Sequence, residues 1–524
     1  MHVSFSPSLS PSHTHSNQAR SIIISGINST RTGATKIVAS KVGAYVRIHK
    51  ALNSLSSTWS GAVSFLGALE LHGGDGVFVN DSLTIGGALV VDANANSLAA
   101  DSFYCIDGNT KLSCASDADC GRSLCSDGVT FCDGGQAECS GTVCNVPSGG
   151  GSCVSKGEFR ITHNLSIASG GASITADALL LMPQKFEWDT SNSSIGGHLL
   201  VHHAGAVSLQ PKTVRAVRVG QLAGGVDYWR PYQVLAHYGT TFAIDARTLD
   251  AIHMLGDFTI GGVQTSSITV TGLTLTRSPG FLSLVATHNA AATIALVNAP
   301  DCAALASLCH VSIQGALYLT TLGSCLLQVD VSVFLMTAAC EGATSQTGTL
   351  LINGAGVDLE YIAVGDVVIS GNVINQDRML FQATGHVNIS SDLTCRGRMT
   401  ITADSDNDGE GDFNLAAGSV LTSQNNPIDI RANTVAFGGA GSYIRAGYGD
   451  ISITVSDAGE IGLNTAAAGM EISAAELEAL SCRNLSIGGV NSHVRIGPLA
   501  TLTLAGVKGY LVIRALLSGA QVSE

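Results

Sequence analysis

The sequence predicts an all-β chain folded as a parallel β-helix, a β-solenoid of about 20–22 residues per coil. Three observations carry this: short apolar–polar–apolar phrases recur along the chain, their spacing is near constant, and the composition lacks what long helices need. The phrases read LTIGG at 83–87, LSIASGG at 165–171, FTIGG at 258–262 and LSIGG at 485–489. Looser copies read GDVVIS at 365–370, GHVNIS at 385–390 and GDISIT at 449–454. Each alternates with period two, as a half-buried strand does, and Gly or Asn bounds each one, as strand-ending turns require.

The spacing turns strands into coils. Ile369 and Ile389 lie 20 apart; Ile430, Ile451 and Ile472 are separated by 21 and 21, and Val494 follows after 22. A repeat of that length with one alternating phrase per turn is the pattern of a solenoid. Charged residues are only 13 % and Gly reaches 61 of 524 residues, so Lys/Glu-rich helical faces are missing. Small Ala, Ser and Gly suit tight corners between short strands.

Along the chain, residues 1–35 read as a flexible N-terminal segment, with the Ser/His/Pro-rich start at 1–20 disordered. Residues 36–100 hold the first coils. Residues 101–156 are a cysteine-rich insertion, and 157–524 form the main solenoid, with irregular loops near 226–250 and 299–345 and an acidic loop at 404–412. Eight of the 14 cysteines fall in the insertion: Cys105, Cys114, Cys120, Cys125, Cys132, Cys139, Cys144 and Cys153. The residues between them are mostly Asp, Gly and Ser, so burial alone cannot fold this stretch, and disulfides would restrict its unfolded ensemble. Zinc is the rival reading, but the gaps are irregular and no His lies inside the segment. Eight cysteines allow on the order of a hundred pairings, and sequence does not choose among them. Cys302, Cys309, Cys325 and Cys340 suggest a second staple, whereas Cys395 and Cys482 stand alone and read as core residues.

Disulfides imply an oxidising compartment, hence an extracellular or cell-surface location. The opening residues carry no apolar signal-like region, so we give weight to the cysteines and expect a fragment or a misassigned start. No apolar run approaches the ~18 residues of a membrane helix. The net charge of −14 and the lack of a basic run argue against a nucleic-acid partner. Six N-x-S/T sequons, at Asn28, Asn80, Asn164, Asn192, Asn388 and Asn484, are about what chance gives in a Ser/Thr-rich chain.

The acidic stretch ITADSDNDGEGDFNL, beginning at 401, concentrates the chemistry. Ile401 and Ile430 are 29 apart, one coil plus an excess about the size of DSDNDGEGD, so the stretch reads as a loop inserted at a corner. Asp404, Asp406 and Asp408 alternate and can converge on one hard cation. Gly409 permits a sharp turn, Glu410 offers its backbone carbonyl, and Asp412 binds directly or through water, so Ca²⁺ is the expected cofactor. Carboxylates this close repel one another unless a cation screens them. A solvated acidic turn is the plain alternative.

The L-x-I-x-x-G phrases and their spacing resemble right-handed parallel β-helix surface proteins of the filamentous-haemagglutinin-like kind. The stretch D-x-D-x-D-G-x-G-D resembles the calcium loops of thrombospondin type 3 repeats, and departs from the EF-hand in having Leu415 where a bidentate Glu would stand. CASDADCGRSLC at 114–125 resembles disulfide-rich modules of secreted proteins. These resemblances imply a non-enzymatic structural or adhesive solenoid that displays loops to surface glycans or protein receptors. The alternative is a polysaccharide-acting β-helix lyase or hydrolase. Hydrolases of that fold typically show an Asp-Asp pair, which this chain lacks, and Arg396 and Arg398 would serve a calcium-assisted lyase. His198, His202 and His203 read as satisfied or exposed rather than metal-bound. Tyr228, Trp229, Tyr232 and Tyr238 read as a corner plug rather than a sugar platform.

Overall fold

A computed structural model describes the chain mainly over residues 63–95, 158–181, 199–220, 241–298 and 310–515, with short strands between 21 and 48, between 103 and 155, and at 522–523. The aromatic stretch at 226–239, the histidines at 198, 202 and 203, and Cys302 and Cys309 lie outside the described residues. Nearly all the described secondary structure is strand, and the chain divides into two compact units, Met1–Thr265 and Ser266–Glu524. The all-β parallel solenoid is present in both.

In the first unit each coil contributes strands to three parallel sheets. One ladder runs through Thr35–Ala39, Leu69–Gly73, Leu89–Asp92, Ala172–Ala176, Val207–Pro211 and Phe258–Gly262. Ile37, Leu71, Val91, Ile174, Leu209 and Ile260 are register partners along it. Parallel pairing starts before residue 35, since Ser21–Ile24 pairs with Tyr45–Ile48. Leu89–Asp92 pairs directly with Ala172–Ala176, and Gly76–Val79 with Glu158–Ile161. The cysteine-rich segment therefore leaves the ladder after one coil and returns at the next. Its described backbone is antiparallel, with Cys105 opposite Cys153 and Cys125 opposite Cys144. The bonding of the eight cysteines lies outside what the structure describes.

The second unit stacks coils in the same way. Leu359, Met379 and Met399 are successive partners 20 residues apart, followed by Ile428, Ile451, Leu485 and Leu511. Two shorter ladders complete each coil: Val367, Val387, Phe413 and Val435 in one, and Val373, Leu393, Leu421 and Ile444 in the other. Apart from Leu511, which is half-buried, these apolar side chains are fully or almost fully buried, and their intervening neighbours face out. Stacking like on like in this way buries most of the apolar surface at about 25 cal/mol per Å². Regular strands cover 311–346, so within the stretch 299–345 only 299–309 falls outside the described repeat.

Two details of register differ from the sequence reading. Ile369 pairs with Ile389 and Ile401 with Ile430, as the spacing predicts. Ile430, Ile451, Ile472 and Val494, however, do not form one column. Ile430 pairs with Ile453, Ile451 pairs with Ile428, and Ile472 and Val494 belong to a separate sheet. A spacing of 21 between like residues was met by neighbouring inward positions of different strands. The recurring phrases also divide: 83–85 and 165–167 are register partners, while 258–262 pairs with Val207–Leu209 in a second ladder of the first unit and 485–489 with Leu511–Ala515 in the second unit.

Cys325 and Cys340 are joined by a disulfide with Cα atoms 6.0 Å apart, closing a loop with a sequence separation of 15 inside one coil. Cys395 and Cys482 are free and buried, as expected of core residues. Burial pushes the Cys395 thiol up to about 12 and that of Cys482 up to about 11.

Candidate cation-binding loop

The acidic loop grows from a corner that the neighbouring coils also make. At that corner the chain leaves the longest sheet and enters the next through a Gly-polar pair: Gly365–Asp366, Gly385–His386 and Gly411–Asp412. The pairs stack. Asp366 Oδ1 accepts the His386 backbone N–H at 2.8 Å, and His386 Nδ1 accepts the Asp412 N–H at 3.1 Å. Asp412 Oδ1 in turn accepts the Thr434 hydroxyl at 2.8 Å. Gly411 is obligatory, because a Cβ there would lie 2.1 Å from the backbone nitrogen of Asp404.

Register measures the insertion. Phe381 to Val387 spans six residues, while their partners Ile401 and Phe413 are twelve apart, so this corner holds six extra residues. The rest of the nine-residue excess between Met399 and Ile428 falls elsewhere in the coil: two residues between Leu415 and Leu421, and one before Ile428. The loop is therefore shorter than the acidic run, and Asp412 is the repeat's own corner residue rather than part of the insertion.

Asp404 organises the loop. It is fully buried, with φ of +55°, and its Oδ1 accepts the backbone N–H groups of Asp408 at 2.8 Å and Gly409 at 3.2 Å. Its Oδ2 accepts Gly409 N–H at 3.3 Å and the Ser456 hydroxyl. Buried carboxylates need such donors, since desolvation of an unpaired charge is costly. Asn407 and Gly409 also take positive φ, +62° and +84°, which turns the chain back on itself. The loop is clamped from the next coil. Asn433 Nδ2 donates to the Gly409 carbonyl at 2.6 Å, its backbone N–H donates to the Gly411 carbonyl at 2.8 Å, and Arg431 donates to Asn407 Oδ1.

Asp404, Asp406 and Asp408 each bring one carboxylate oxygen within 4.8 Å of the other two. Two oxygens that share one Ca²⁺ at about 2.4 Å each are at most about 4.8 Å apart, and each pair within this triad meets that limit. Asp406 and Asp408 are exposed, and no Lys, Arg or His forms an ion pair with any of the three among the described residues. Glu410 is exposed, and its N–H donates to Asp408 Oδ1 at 3.0 Å. Asp412 stands outside the triad, with its side chain on Thr434 and 3.5 Å from His386 Nδ1.

Sequence reading missed three residues that shape the site. Ser456 and Asn433 come from later coils, and only register places them here. Asp457 also faces the loop: its Oδ2 lies 3.6 Å from where a Cβ on Gly409 would sit, and its Oδ1 is buried with no hydrogen-bond partner. Arg398 pairs with Asp429 at 2.6 Å on the far side of its strand's corner, and Arg396 is exposed; neither contacts the triad among the described residues. No family model matches the chain, and no curated protein or solved structure matches it either.

Proposed function

We propose that the chain is a non-enzymatic β-solenoid, secreted or displayed at a cell surface, which serves as a structural or adhesive scaffold. Its acidic loop binds Ca²⁺. The observation that carries the calcium reading is the convergence of Asp404, Asp406 and Asp408 within 4.8 Å, with no ion pair to any of the three among the described residues. Three carboxylates held that close repel one another, and a cation accepting six to eight oxygens relieves the repulsion. The donor-less Oδ1 of Asp457 beside the same loop adds to the local negative charge. Asp404, Asp406 and Asp408 supply carboxylate oxygens, the Glu410 carbonyl and water complete the shell, and Asp412 reaches the ion through water while it stays on Thr434. In this reading the loop is of the thrombospondin type 3 kind and the solenoid of the filamentous-haemagglutinin kind.

The scaffold reading draws on the outward positions of the longest sheet in the second unit. Ser283, Thr320, Thr337, Thr400, Thr402, Ser452, Thr454 and Ser486 stand there among apolar residues such as Phe281, Tyr318, Leu335 and Ile362, and its carboxylates Glu360 and Asp429 are paired with Arg378 and Arg398. The disulfide Cys325–Cys340 supports an oxidising compartment. Two sequons carry structural hydrogen bonds: Asn388 Oδ1 accepts from Asn414 Nδ2 at 2.8 Å, and Asn484 Nδ2 donates to Asp450 at 3.0 Å. Glycans, if attached, therefore belong on other sequons. Isothermal calorimetry of the full chain tests the calcium reading. Heat on adding Ca²⁺, lost in Asp406→Asn with Asp408→Asn, is expected; silence at millimolar Ca²⁺ with a folded chain leaves a solvated turn.

A further inference from the structure

In the second unit, exposed tyrosines and free cations collect at one corner of the solenoid. It is the corner where the chain leaves the nine-stranded sheet for the longest one. Successive coils stack there by main-chain and amide hydrogen bonds. Asn426 Nδ2 donates to the Arg396 carbonyl, Tyr448 N–H donates to Asn425 Oδ1 at 3.0 Å, Arg483 N–H to the Gly449 carbonyl at 2.9 Å, and Gly509 N–H to the Arg483 carbonyl at 2.7 Å. The stack carries Arg396, then Tyr448, then Arg483, then Lys508 with Tyr510. Four steps at about 4.8 Å make a ridge about 19 Å long, running across the strands. Beside it, Tyr443 and Arg445 point outward from the strand Tyr443–Arg445.

The chemistry of this ridge is unusual for the chain. Tyr443, Tyr448 and Tyr510 are 40 %, 68 % and 75 % exposed, although tyrosine rings ordinarily hide their faces. The Arg445 guanidinium lies 4.6 Å above the Tyr443 ring centroid, and Lys508 Nζ lies 4.6 Å above that of Tyr448. Other arginines of the unit hold carboxylates, three of them at this same corner: Arg378 with Asp358 and Glu360, Arg398 with Asp429, and Arg483 with Asp450, while Arg495 pairs with Glu460. Arg396, Arg445 and Lys508 form no ion pair among the described residues, in a chain with a net charge of −14.

We infer that this ridge binds a linear glycan bearing widely spaced carboxylates, lying lengthwise along the coils. A sugar ring offers a flat C–H face to an exposed tyrosine, and its carboxylate a partner for a cation already placed at the ring. The cations are few and separated by whole coils, which matches an occasional uronate. A polyphosphate wants a dense basic cluster instead. The inference deepens the scaffold reading, on which it rests for the fate of the polymer: bound and retained rather than cut.

The test is fluorescence anisotropy of the full chain with an end-labelled hyaluronan oligosaccharide, in EDTA so that the acidic loop takes no part. A neutral cello-oligosaccharide and a single-stranded DNA of similar length are the comparators. Binding of hyaluronan that weakens with salt is expected. It should fall about tenfold or more, equivalent to about 1.4 kcal/mol, in Tyr448→Ala with Tyr510→Ala and again in Arg445→Ala with Lys508→Ala. These side chains are exposed, so the variants keep the fold, checked by circular dichroism. Failure of hyaluronan to bind, affinity unchanged in both double variants, equal binding of the neutral sugar, or tighter binding of DNA would each overturn the inference. Shortening of the bound oligosaccharide would instead overturn the non-enzymatic reading and leave the ridge in place.

Discussion

Replacing Asp404 by Ala separates the loop from the ladder beneath it. The native carboxylate accepts from the Asp408 and Gly409 amides and from the Ser456 hydroxyl. Hydrogen bonds to a charged group contribute roughly 1.5–3 kcal/mol each. The two loop amides can turn to water once released, because Asp408 is exposed and Gly409 partly so. The Ser456 side chain is buried and keeps the larger share of the penalty, about 1–3 kcal/mol for an unmet polar group. The net cost is therefore about 2–4 kcal/mol, confined to residues 404–411, while Ile401 and Ile430 remain paired. Hydrogen exchange reads this directly: the Asp408 and Gly409 amides should lose protection by about that free energy, and the Ile430 amide should not change. Asp404→Asn keeps one carbonyl acceptor and should recover most of the protection. Unchanged exchange at Asp408 and Gly409 in Asp404→Ala would refute the role given to this carboxylate, and loss of protection through Ile430 would refute the independence of loop and ladder.

Other perturbations address the core and the cysteines. Ile430→Ala removes a buried side chain between Ile401 and Ile453 and should cost about 2–5 kcal/mol in chemical denaturation, with Ile430→Val costing about 0.5–1.5. Reducing Cys325–Cys340, whose sequence separation is 15, should lower stability by about 3 kcal/mol, seen as a lower denaturation midpoint in reductant. The Cys395 thiol, pushed up to about 12 from an ordinary 9.0, keeps its proton in the folded state after the unfolded chain has lost it. Its contribution to stability is therefore intact below pH 9 and declines as pH rises through 9 toward 12. At neutral pH Cys395 should resist maleimide until the chain unfolds, and rapid labelling of the native protein would contradict its burial.

The coil length and the parallel strands were legible because inward residues must be apolar and must recur once per turn. Met379 and Met399, or Ile369 and Ile389, announce themselves at 20 residues. The column through Ile430 did not, since Ile451 and Ile453 are both inward and spacing alone cannot choose between them. At the acidic corner, the alternation of Asp404, Asp406 and Asp408 was readable as a cluster. The separate duty of Asp412 was not, although the Gly-polar pair it shares with Gly365–Asp366 and Gly385–His386 is written in the sequence. Ser456, Asn433 and Asp457 reach the loop only because later coils stack on it, a distance in space that has no counterpart in sequence separation.

The calcium site we propose lies in an insertion on an intact ladder of the second unit. Deleting the six residues 405–410 together with Asp404→Thr would give this corner the Ala-Thr-Gly form of its neighbour, Ala383–Thr384–Gly385. Calorimetry with Ca²⁺ and thermal unfolding of that variant, beside the wild type, measure both halves of the claim at once. The expected result is a cooperative unfolding transition close to that of the calcium-free wild type, with no heat of calcium binding. A variant that fails to fold, or that folds and still binds Ca²⁺ with the wild-type heat, would contradict it.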